Sequence, residues 1–158
     1  MMVLVWGIVL WFVVKNSSFM KKESALQYLP QRSPFIMVDN ILFCDDKRCQ
    51  TEFAVTAENI LVSNNCLLEA GVIENIAQTC AARIGYIGIH YRQEKVKIGV
   101  IGAIKNFVLY RKPRVGERLY TEVEEIMNGF YNMTVLNSIV VVGDETIAQC
   151  EMKVALID

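Results

Sequence analysis

One histidine, three prolines and the lack of any CxxC pair set the first limits on this 158-residue chain. The lone histidine, His90, stands apart from five scattered cysteines (Cys44, Cys49, Cys66, Cys80, Cys150), so no metal site is expected. An odd number of cysteines argues against a full disulfide framework. A reducing compartment is the simpler expectation, with the thiols acting as small hydrophobes. Sixteen Lys and Arg nearly balance seventeen Asp and Glu, and no long basic run occurs. Nucleic-acid binding through phosphates therefore has little to stand on. Internal repeats and low-complexity tracts are also lacking, which leaves one domain with enough chain to bury a sizeable core.

What is present begins with an apolar opening, MMVLVWGIVLWFVV, followed by Lys15 and then MKK at Met20–Lys22. As a helix these fourteen residues reach about 21 Å, short of the roughly 30 Å hydrocarbon core. A secretory signal would need positive charge before the run and a small-residue cleavage site after it, and neither is evident. Residues 1–19 read either as an upstream extension before a native start at Met20 or as a short anchor. A membrane is involved only if residues 1–14 are native, and Lys15, Lys21 and Lys22 would then keep the domain cytoplasmic. In both cases residues 20–158 form the working, cytoplasmic domain.

Along that domain, KKESALQYLP reads as a short helical lead stopped by Pro30. Two apolar runs around DDKR (Asp45–Arg48) predict a hairpin; adjacent acids there suit turn chemistry better than metal binding. Asn64 or Asn65 suits a helix cap, and a helix is predicted over Leu67–Gly85, with Gly85 at its C-terminal end. Leu68, Val72, Ile73, Ile76, Cys80 and Ile84 recur along it at helical spacing. Four strand-like runs follow, broken at KPRVG, NG and GD, and the two short breaks predict antiparallel neighbours in a meander. A helix this apolar needs a sheet around it. The class is α+β.

Within the helix, Glu74 is a carboxylate among small and aliphatic residues. Ala70, Gly71, Ala77, Gln78 and Ala81 share its face. Small residues beside a Glu–Gln pair suit either close packing of another backbone or room for a ligand. A carboxyl in apolar surroundings tends to keep its proton and can serve as a general acid; the alternative is a Glu paired across an interface.

Several stretches together resemble the 3-hydroxyacyl-[acyl-carrier-protein] dehydratases. These are LPQRSPFIMVDNI at 29–41, IENIAQ at 73–78, IKNFVLYRKPRVGERLYTEVE at 104–124 and ETIAQCEMKVALID at the end. The helix region is most similar to the divergent members of aryl polyene pigment clusters. The resemblance implies a hotdog fold, a curved antiparallel sheet wrapped around one long central helix, working as a dimer. It implies a hydro-lyase of fatty acid or polyketide type that removes water from a 3-hydroxyacyl thioester, with no cofactor beyond the carrier's phosphopantetheine arm. By motif, Glu74 is the catalytic acid, Gln78 orients it, and Gly71 and Val72 lie at the substrate carbonyl.

The family's base is a histidine in the loop before the helix. Here that loop reads NILVSNN, with Ile60 near the histidine's place, and the histidine of the opening motif is replaced by Gln31. His90 lies sixteen residues beyond Glu74, about 24 Å along a continuous helix, and only a reversal at Gly85 or Gly88 would return it. Cys66 has no base beside it. Three functions are consistent with an acid lacking its base. The chain is a dehydratase subunit completed by a histidine-bearing hotdog protein in a heterodimer (a homodimer being the family default), a lone-carboxylate thioesterase, or an acyl- or carrier-binding subunit without catalysis. An acidic acyl carrier protein would seek basic charge, which Lys105, Arg111, Lys112 and Arg114 supply near one turn. Phe107, Tyr110 and Tyr120 are expected in the core or lining a tunnel.

Overall fold

The structure, a computed structural model, describes residues 22–93, 98–128 and 133–157. The apolar opening and the expectation of an anchor at residues 1–14 lie outside these. Among the described residues no helix is long and apolar enough to cross a membrane.

The predicted helical lead is instead a two-residue strand, β1 (Glu23–Ser24), and one 3-10 turn, Ala25–Gln27. Pairing wins over helix propensity here: Glu23 and Ser24 face Ile41 and Asn40, and the Ala25 amide donates to the Asp39 carbonyl at 3.0 Å. The expected hairpin forms from β2 (Asn40–Cys44) and β3 (Arg48–Ala54). Asp45 Oδ1 closes its turn by accepting from the Lys47 and Arg48 amides at 2.9 and 2.6 Å.

Asn64 and Asn65 do not cap the helix. Both take positive φ, 49° and 60°, and form the tight turn between β4 (Val62–Ser63) and β5 (Cys66–Leu67). Asparagine tolerates the left-handed region that a two-residue hairpin demands, so the same side chains serve a different task. The central helix α1 spans Glu69–Ile87, with Leu68 as an N-cap that makes no side-chain bond. It continues past Gly88 into a π turn, Gly88–Arg92. Gly85 therefore sits inside the helix, and a Cβ there would overlap the Tyr28 carbonyl oxygen.

The four long strands are β6 (Ile98–Leu109), β7 (Arg118–Asn128), β8 (Met133–Val142) and β9 (Glu145–Ile157). As expected, β7, β8 and β9 pair antiparallel in sequence order. The predicted meander stops there, because β6 lies beyond β9 at the edge of a seven-stranded sheet ordered β1-β2-β3-β7-β8-β9-β6. The crossover from β6 to β7 passes the start of the helix. There the Leu67 amide donates to Pro113, Val115 to Asn65, and Gly116, at φ 91°, to Val55.

Val72, Ile76 and Cys80 form the buried ridge of α1 against Leu119, Val123, Leu136 and Met152 of the sheet. Burial pushes the Cys80 thiol up to about 12 and Cys150 up to about 11, and all five cysteines are free. The thiols behave as the small hydrophobes anticipated. Arg83 crosses the layer, fully buried, with Nη2 donating to the Asp46 carbonyl and, at 2.7 Å, to Glu125 Oε2.

Candidate functional site

The helix presents Glu74 at the boundary between two environments. On one side Ala77 and Ala81 are only partly buried; on the other Gly71, Asn75 and Gln78 are covered. The stripe read from the sequence as one surface is thus split by the extended segment 34–39 running along the helix. Gln78 bridges the two sides. Its Oε1 accepts from the Met37 amide at 2.8 Å, and its Nε2 donates to the Phe35 carbonyl at 2.7 Å and to Glu74 Oε1 at 2.8 Å. A backbone N–H can only donate, so Met37 fixes which way the Gln78 amide faces. With both amide protons directed, Gln78 holds one oxygen of Glu74 in place, while Oε2 has no bonding partner among the described residues.

The start of the helix is less simply arranged than expected. The amides of Gly71 and Val72 both donate to the Leu68 carbonyl, at 2.9 and 3.2 Å, so neither is free for a substrate carbonyl. Glu69 and Ala70 are exposed, and their amides make no hydrogen bond to another described residue. They are the donors a helix N-terminus leaves over. Gly71 is a packing position: a Cβ there would press into Leu67 and Leu61.

Ile60, near the place where a base was sought, is 46% exposed, and Phe35 beside the Gln78 clamp is 61% exposed. No reversal at Gly85 or Gly88 brings His90 back: it lies on the π turn, its Nε2 2.9 Å from the Tyr28 hydroxyl and its ring tilted at 39° against Tyr86, with 4.3 Å between centroids. The Tyr28 hydroxyl donates to Glu23 Oε2 at 2.5 Å, and burial with that carboxylate holds the phenol protonated far above its usual range. His90 belongs to this polar knot at the far end of α1. Cys66 is partly buried in β5, opposite Ser63.

Of the four basic residues, Arg111 is already engaged. It donates from Nη1 to Glu117 at 2.8 Å and from Nε to Glu145 at 2.7 Å; these partners raise its pKa, and Arg111 lowers that of Glu117. Lys112, Arg114 and Lys105 are exposed, Lys105 out on the edge strand opposite Glu151. Tyr110 is exposed rather than internal, whereas Phe107 packs against the core. Sequence reasoning missed Met37 and Asn75 as partners of the site. The available signal for Asn75 was a polar side chain directly beside Ile76, one of the aliphatic positions recurring at helical spacing; nothing pointed to Met37.

One long helix packed against an antiparallel sheet, as the described residues show, defines the hotdog fold. Within that fold, the ApeP-like family, described as ApeP dehydratase, matches residues 23–157, and the chain belongs to this family. None of the curated proteins matches it. Among solved structures it is similar to one from Xenorhabdus doucetiae described as the dehydratase heterocomplex ApeI:P. The TM-score is 0.80 at 12% identity, covering 87% of this chain and 93% of that one. It is also similar to Cj0977, a sigma28-regulated virulence protein of Campylobacter jejuni, with a TM-score of 0.66, 13% identity and coverage of 85% and 87%. A hypothetical thioesterase with coenzyme A from Streptococcus pneumoniae gives a TM-score of 0.60, 10% identity and coverage of 74% and 84%. At these identities the structural likenesses establish the fold.

Proposed function

We propose that this chain is the acid-bearing subunit of a 3-hydroxyacyl thioester dehydratase, completed by a histidine-bearing hotdog partner. The observation that carries the reading is the clamp on Glu74 in a chain whose lone histidine is tied to Tyr28 at the other end of the helix. Membership of a dehydratase family supports the reaction class, and the likeness to a dehydratase heterocomplex supports a second, different subunit.

In this mechanism the partner's histidine removes the C2 proton of the substrate. Protonated Glu74 donates through Oε2 to the C3 hydroxyl, the C3–O bond breaks, and water leaves as the C2–C3 double bond forms. The exposed amides of Glu69 and Ala70 polarise the thioester carbonyl, replacing the Gly71 and Val72 pair expected from motif alone. The substrate arrives on the phosphopantetheine arm of an acyl carrier protein in the cytoplasm, steered by Lys105, Lys112 and Arg114. Aryl polyene synthesis is the setting the family suggests. The partner adds to the free edge strand β6, where Val100, Ile101, Ile104 and Val108 are all exposed.

The test is a mass-spectrometric turnover assay on a 3-hydroxyacyl carrier substrate, with this chain, the partner and the mixture. Loss of water that needs both subunits and vanishes in Glu74→Gln supports the proposal. Free acid and thiol would move the assignment to a thioesterase. Absence of turnover in every mixture would leave an acyl- or carrier-binding subunit.

A further inference from the structure

We infer that Asn75 is a positioning residue for Glu74, acting through the backbone of Met37 and through Gln78; its bearing on catalysis rests on the dehydratase reading above. Asn75 is fully buried and follows Glu74 directly, so its side chain leaves the helix about 100° away from the carboxylate and does not meet substrate. Its Nδ2 donates to the Met37 carbonyl at 2.7 Å, and its Oδ1 accepts from the Thr121 hydroxyl at 2.6 Å. The backbone at Met37 is therefore held through both of its polar groups, in the two peptide units that flank its Cα: C=O by Asn75 and N–H by Gln78.

This arrangement makes orientation pass along a chain of groups. A carbonyl only accepts, so Met37 fixes which end of the Asn75 amide faces it, and the Thr121 hydroxyl donates to the other end. Held there, Met37 presents its N–H to Gln78 Oε1, which turns Gln78 Nε2 towards Glu74. Thr79 anchors the same turn, its hydroxyl donating to the Asn75 carbonyl at 2.9 Å and meeting Thr51 of β3 at 2.8 Å. The direction of the Glu74 carboxyl is thus referred through Asn75 to Thr121 on the central strand β7. An apolar side chain at position 75 would fill the volume equally well and fix nothing.

The experiment uses the full chain co-purified with its histidine-bearing partner. Asn75→Leu is expected to lower kcat about ten- to a hundredfold, with KM within about twofold. In a Gln78→Ala background, where the route is already cut, adding Asn75→Leu should cost less than about twofold more. Losses that multiply in the double variant would overturn the inference and leave Asn75 a packing residue. Thr121→Val, a shape-conserving change, covers the case in which Asn75→Leu does not fold: it should lower kcat about threefold, with Thr121→Ser restoring it. A second readout needs no turnover. In labelled protein, the Gln78 side-chain NH₂ resonances should move towards free-amide positions in Asn75→Leu and shift in Thr121→Val. Unmoved resonances would sink the relay even in an active enzyme. If the wild-type complex fails to dehydrate, the functional reading falls and these resonances still decide the relay.

Discussion

Gln78 Nε2 reaches Glu74 Oε1 across one helical turn at 2.8 Å, and the same nitrogen donates backwards to the Phe35 carbonyl at 2.7 Å. One amide thus ties a surface segment to the helix and aims a carboxyl. The two tasks separate by substitution.

Glu74→Gln keeps shape and an acceptor for Gln78 but removes the acid. Turnover of the complex should fall by about a hundredfold or more, with the thermal midpoint nearly unchanged. Gln78→Ala instead leaves the buried Met37 amide without an acceptor and should cost about 2–3 kcal/mol in a urea titration, besides slowing turnover. A Glu74→Gln protein of full activity would remove the residue from the mechanism.

Gly85→Ala should destabilise the chain although alanine favours helices by about 1 kcal/mol. The new Cβ would overlap the Tyr28 carbonyl, so the 3-10 turn must shift, at a net cost of about 1–3 kcal/mol by chemical denaturation. A neutral or stabilising result would mean that the Ala25–Tyr28 segment yields freely.

Glu122, buried on β7, has its carboxyl pushed above the ordinary range by desolvation, which outweighs the hydrogen bond from Gln50. The folded state then holds that proton to a higher pH than the unfolded chain. Across this window it binds more protons, and stability falls as pH rises through it. Glu122→Gln cannot ionise, and its amide offers a donor to Gln50 Oε1, a buried atom without a partner. The variant should match wild type at a pH below the ordinary carboxylate value of 4.5 and exceed it at neutral pH. Urea titrations at the two pH values measure the difference; equal offsets at both would refute the titration account.

Ile101→Lys with Ile104→Lys should weaken co-elution with the partner on size exclusion. Both residues are exposed on the edge strand, so the isolated chain should keep its stability within about 0.5 kcal/mol. Undiminished co-elution would place the interface elsewhere.

The elements most legible in the sequence were those set by local chemistry. The Gly143–Asp144 break turned β8 into β9 as predicted, with Gly143 at φ 61°, and the Asp45 turn closed β2 onto β3. Non-local pairing was not legible: nothing in β6 itself says that it lies beside β9 rather than β7. Asn64 and Asn65 misled because the side chain that caps helices also tolerates a left-handed backbone. At the site, the Glu74–Gln78 pair could be read from its spacing of four. The contact between Asn75 and Met37 could not, since the two lie thirty-eight positions apart in the chain. Arg111 looked available because its partners Glu117 and Glu145 lie six and thirty-four positions away.

The knot of Glu23, Tyr28 and His90 holds β1 near the end of α1, several turns from Glu74. For anyone immobilising the protein, this end is the handle to use. A resin, dye or lipid tether joined at this strand would hold the domain at the end of α1 remote from Glu74.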